Sequence, residues 1–176
     1  MGFKRGKTFK LSLIALFSVL LFLISQLHKS LPTIIQVIFA IILTIGVLLI
    51  NSFGGAVMIT SLAGLLYSFT SHIGFLMLIP WIVRGAVVDI LFKLFKIYGS
   101  SLDGLKRHLL VALGMTIGSV CTGLTQLFVI VFIIKAIPFW GASIVFILIL
   151  NAAVQTAIGS FIASKYLINR IMRLIG

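Results

Sequence analysis

Glutamate is absent from the 176 residues, and aspartate occurs only at Asp89 and Asp103. Asp103 falls in a polar stretch, so no pair of carboxylates is available for acid–base work inside one site. Cysteine occurs once, at Cys121, which excludes a disulfide framework and a thiolate cluster. Surrounded by apolar residues, Cys121 is expected to be a small packing residue. The three histidines, His28, His72 and His108, have no partner at i,i+4 and no HExxH pattern, so they offer no metal centre. No glycine-rich nucleotide-binding loop followed by Lys-Ser or Lys-Thr occurs. With no catalytic set and no cofactor motif, an enzyme is the reading with least to carry it.

Charge itself is scarce. Charged residues make up 9% of the chain, where a soluble domain carries roughly 25%. What replaces them is apolar: 61% of the residues, with a mean hydropathy of +1.33. Several runs approach the ~20 residues needed to cross a bilayer. These features predict an all-α membrane protein, one domain over 1–176, built as a compact bundle of six transmembrane helices. The predicted helices are about 11–27, 31–50, 56–71, 78–97, 108–134 and 142–167. The first follows a basic segment, as in a signal peptide, but its length and the poor cleavage context of "SQLHKS" favour a retained helix. "SHIGFLM" is expected to be an external loop or a re-entrant segment.

The net charge of +12 raises nucleic acid as a partner, but the cations lie at the ends of apolar runs rather than on one face. Lys4, Arg5, Lys7, Lys10, Lys93, Lys96, Lys106, Arg107, Lys165, Arg170 and Arg173 fall on one side of the six-helix layout. Lys29 and Lys135 fall on the other. That asymmetry predicts both termini in the cytoplasm of a multi-pass cell-membrane protein. Lipids are then the expected surroundings, and nucleic acid is not an expected partner.

Small residues recur at helical spacing. Ala56, Thr60, Gly64 and Ser68 form one stripe, Gly114 and Gly118 a second, and Asn151, Gln155, Gly159 and Ala163 a third. In lipid such stripes let helix backbones approach closely. They predict packing, not activity.

Arg84 is the one cation left inside a span. Asp89 is five residues away, about 140° around the helix axis, and is expected to pair with Lys93 instead. Three readings of Arg84 stand side by side: snorkelling to headgroups, an interhelical bond, or a pocket arginine. Trp81, Gln36, Gln126, Asn151 and Gln155 fall at a similar depth. Together with Arg84 they are candidate substrate-binding residues of an outward-opening cavity. Without a ligand, Arg84 is expected to be held by water and amides.

The stretch "NSFGGAVMITSLAGLLYSFTSHIGFLMLIPWIVRGAVVDILFKLF" resembles the substrate-binding S component of energy-coupling factor vitamin transporters. The shared pattern is Gly54 and Gly55 opening the third helix, Gly64 toward its far end, then Pro80 leading a helix with Arg84 and Gly85. It extends as pattern over about residues 32–170. The resemblance implies high-affinity capture of a vitamin or metal ion, with a transmembrane coupling subunit and separate ATPase subunits as partners. It implies docking through the first helix, where the family's Ala-x-x-x-Ala is replaced by Ala15 and Val19, with Ser12 alongside. A structural membrane scaffold, a small channel or a lipid-handling protein remain the alternatives.

Overall fold

A computed structural model describes residues 6–27, 32–99, 104–135 and 142–175. His28, Lys29, Asp103, Trp140 and the basic residues Lys4 and Arg5 lie outside them, as does the predicted start of the second helix at Leu31. Among the described residues the chain is all-α. The helices are α1 (Lys7–Leu27), α2 (Pro32–Ile50), α3 (Gly55–Thr70), α4 (Leu78–Leu94), α5 (Leu105–Phe128) and α6 (Ala142–Ile162). A π-helical turn, Val129–Ile133, prolongs α5. A second, Ala163–Leu167, joins α6 to the short α7 (Ile168–Ile175).

The boundaries differ from expectation in four places, one of them the sixth helix, which α7 carries past 167 to Ile175. Helix α1 begins at Lys7, so the first basic turn is helical. Helix α4 stops at Leu94, because Phe95 and Lys96 close it with a turn and Lys96 has φ 53°. Helix α5 begins at Leu105, one turn early. "SHIGFLM" is a turn followed by one 3₁₀ turn, Gly74–Met77, which leads into α4. Gly74 sits at φ 64°, the left-handed region glycine adopts without strain.

The helices close into a ring. Contacts run α2–α1–α3–α4–α5–α6 and back to α2. Small residues make each seam. A Cβ added at Gly64 would lie 2.5 Å from that of Trp81, and one at Gly85 would lie 2.6 Å from the Val57 backbone. Gly114 and Gly118 seat Phe92 and Val88, and Gly159 meets the Val37 carbonyl at 2.6 Å from the same kind of built atom. The three predicted stripes therefore mark the α3–α4, α4–α5 and α2–α6 seams. Ser18 adds a polar tie, donating to the Ile14 carbonyl at 2.7 Å with the Ile59 carbonyl of α3 at 3.0 Å. Cys121 is half-buried on α5.

One end of the ring is filled. Every residue from Leu43 to Ile50 on α2 is buried, amid Ile59, Val88, Phe92, Val111 and Met115. The outside is apolar as well: Leu16, Leu23, Met58, Ile90, Leu109, Ile147 and Ile158 are all exposed. An exterior of this kind marks a surface made for something other than water. Four stretches, Lys7–Leu27, Gly74–Leu94, Leu105–Ile133 and Ser143–Leu174, are long and apolar enough to cross a membrane. Helix α3, with 16 residues, is about 24 Å long, and the 3₁₀ turn carries the chain on from its end.

Candidate functional site

At the other end of the ring the helices part around a cavity of about 520 Å³. This distal end is formed by the last turns of α1, α3 and α5 and the first turns of α2, α4 and α6. All six helices contribute: Ser25 from α1, Gln36 and Phe39 from α2, Tyr67 from α3, Trp81 and Arg84 from α4, Ser119, Thr122 and Gln126 from α5, and Asn151 and Gln155 from α6. The six residues singled out in the sequence thus line one space. A volume in the range of about 300–1,000 Å³ suits a small-molecule pocket.

Arg84 is only 6% exposed. It projects from the second turn of α4, where Gly85 beside it lets α3 come close. Its guanidinium lies over the Phe39 ring, with Cζ 4.5 Å from the centroid. Neither Nε nor Nη2 has a hydrogen-bond partner among the described residues, and both are out of reach of solvent. This corrects one expectation, since among the described residues no amide holds these two nitrogens. Two of the amides that line the cavity are engaged elsewhere. Gln155 Nε2 donates to Asn151 Oδ1 at 3.0 Å, and Gln36 Nε2 donates to Thr156 Oγ1 at 3.5 Å. Thr156 in turn donates to Ser119 at 3.2 Å, tying α6 to α5. Gln155 is buried with Oε1 unpaired, whereas Asn151 stands exposed. Burying such groups without partners costs about 1–3 kcal/mol each, and more where charge is involved.

An aromatic wall backs the arginine. Phe39 meets Trp81 edge-on, with centroids 5.5 Å apart at 65°, and Tyr67 lies tilted against Trp81 at 5.8 Å. Sequence reasoning missed Phe39 and Tyr67. Phe39 was legible, because it falls one turn after Gln36 on a helix already assigned to the pocket.

Asp89 overturns a second expectation. It does not pair with Lys93. It is 1% exposed and accepts from the Val57 amide at 2.9 Å, from the Ala56 amide at 3.4 Å and from the Tyr98 hydroxyl. Helix α3 starts at Gly54 with no side-chain cap of its own. Its first-turn donors are nonetheless all placed: Gly55 N–H on the Ser52 carbonyl, Met58 N–H on the Gly54 carbonyl, and the two between on Asp89. A negative group at a helix N-terminus is also favoured by the helix dipole. Lys93 lies over Phe53 instead, with Nζ 4.8 Å from its centroid.

Ser12, Ala15 and Val19 share an exposed face of α1, and none of them lines the cavity. Among the described residues no group of three or more His, Cys, Asp or Glu side chains is placed to hold a metal ion. No protein family, no curated protein and no solved structure matches the chain.

Proposed function

We propose that this chain is a membrane-embedded binding subunit that captures a small, acceptor-rich or anionic molecule from outside the cell. On this reading all six helices sit in the membrane, both termini are cytoplasmic and the cavity opens outward. The observation that carries it is Arg84: a buried cation whose Nε and Nη2 have no partner among the described residues, on the wall of a cavity to which all six helices of the ring contribute. The charge distribution supports the orientation. Lys7, Lys10, Lys93, Lys96, Lys106, Lys165, Arg170 and Arg173 lie toward the filled end, and Lys135 toward the cavity. The filled end speaks against a channel, since Leu43–Ile50 leave no polar path. Transport then needs partner subunits, a transmembrane coupling protein and ATPases, for which the exposed face of Ser12, Ala15 and Val19 is the candidate contact.

The test is purification from the native membrane, with mass spectrometry of co-purifying small molecules and proteins. The parent should carry a small molecule, and Arg84→Ala should lose it while folding to similar yield. A scaffold would carry none, and Arg84→Ala would leave its protein partners unchanged.

A further inference from the structure

The cavity wall specifies more than an anion. Nε and Nη2 share one edge of a guanidinium, the edge that grips a carboxylate through two parallel N–H···O bonds. Both are the unpaired atoms of Arg84. Both are buried, so a ligand meets this edge only when the side chain turns it into the cavity that Arg84 lines. The other wall residue with an unpaired buried atom has the opposite sense. Gln155 has spent its donor on Asn151, and its Oε1 is left to accept. The same cavity is lined by the half-buried Trp81, braced by Phe39 and Tyr67. Such a wall favours a flat π-system, through area and through offset or edge-on ring contacts.

We infer that the cavity selects a planar aromatic or heteroaromatic acid: a carboxylate for Arg84, a ring against Trp81, and an N–H or O–H donor for Gln155. This rests on reading the cavity as a binding site. It names the class that would fill it. A phospholipid offers Arg84 a phosphate too, but brings acyl chains rather than a ring and nothing shaped for Gln155.

The probes are radiolabelled 4-aminobenzoate, with benzoate, cyclohexanecarboxylate and aniline as competitors, on the purified full chain in lipid nanodiscs. Competition should rank benzoate above cyclohexanecarboxylate and leave aniline without effect. Arg84→Ala should weaken 4-aminobenzoate at least about tenfold, as loss of charge-assisted hydrogen bonds requires. Gln155→Leu should remove the advantage of 4-aminobenzoate over benzoate and leave benzoate unchanged. Melting curves of both variants confirm folding. If aniline competes as well as benzoate, or 4-aminobenzoate binding ignores Arg84, the class is wrong. A neutral, cationic or lipid molecule co-purifying with the native protein and held through Arg84 also overturns the class, while leaving the cavity a binding site. If nothing co-purifies and no probe binds, the binding-subunit reading falls with it.

Discussion

Five residues separate Arg84 from Asp89 on α4, and both are buried. Around Asp89 the chain has supplied two backbone amides and a tyrosine hydroxyl, on a ring end packed solid by Leu43–Ile50. Around Arg84 it has supplied an aromatic face, and among the described residues no hydrogen-bond acceptor for Nε or Nη2, on the end where the ring parts. Similar costs of burying charge are thus met at one end and left open at the other. A satisfied buried charge holds structure together. An unsatisfied one on a cavity wall stores a free-energy gain for whatever completes it.

The largest expected effect lies in the satisfied half. Asp89→Ala strands the Ala56 and Val57 amides inside the bundle and leaves the Tyr98 hydroxyl without its acceptor. Each stranded donor costs about 1–3 kcal/mol, so the total is on the order of 4 kcal/mol. In mild detergent the variant should melt well below the parent. Arg84→Ala should melt at or above the parent, because it removes an unpaired buried group. If the two variants destabilise equally, the contrast between the two ends is wrong.

The helices, their ring-forming stripes and the six polar wall residues could be read from spacing and hydropathy. Those signals are local, and each helix carries its own. Asp89 could not be placed that way. The i,i+4 rule sees only its own helix, and its true partners are backbone amides more than thirty residues earlier, which have no side-chain signature. A hint was present nonetheless. "GGAVMIT" starts a helix without Ser, Thr, Asp or Asn at its cap, so an acceptor had to come from elsewhere, and the chain has only two acids. The arginine's aromatic seat was legible only in part, since Phe39 follows the pocket residue Gln36 by one turn but lies on a different helix from Arg84.

A middle-sized effect sits between the two charges. Gly85 lies where α3 and α4 touch, and a Cβ there would stand 2.2 Å from Thr60 Oγ1, 2.6 Å from Val57 Cα and 2.8 Å from the Ala56 carbonyl oxygen. Backbone cannot step aside as a side chain does. Gly85→Ala should cost about 3 kcal/mol, the upper part of the range for overpacking. It should also shift Arg84 on one side and loosen Asp89 from the α3 amides on the other. Melting temperature and small-molecule binding should therefore fall together. Loss of binding at unchanged melting would mean that the two ends are not coupled through this seam.

The smallest effect is the most specific, because it reads the satisfied end through pH. Tyr98 lies just beyond α4, and its hydroxyl donates to Asp89. Its pKa is raised above the ordinary tyrosine value, first by burial, then by that hydrogen bond and by the charge of Asp89. The unfolded chain loses this proton near pH 10, whereas the folded chain keeps it to higher pH. Above about pH 10 the folded state binds more protons than the unfolded state, so stability falls as pH rises. Below that the contribution is present in full. Tyr98→Phe removes the hydrogen bond and the titration together. At neutral pH it should lower stability by about 1.5 kcal/mol. Between pH 9 and pH 11 its melting temperature should fall less steeply than the parent's, because only the parent loses the tyrosine's share. Every other side chain is the same in both proteins, so the difference between the two slopes isolates Tyr98. Parallel slopes would show that its hydroxyl does not hold Asp89, and that the closed end depends on packing and the α3 amides alone.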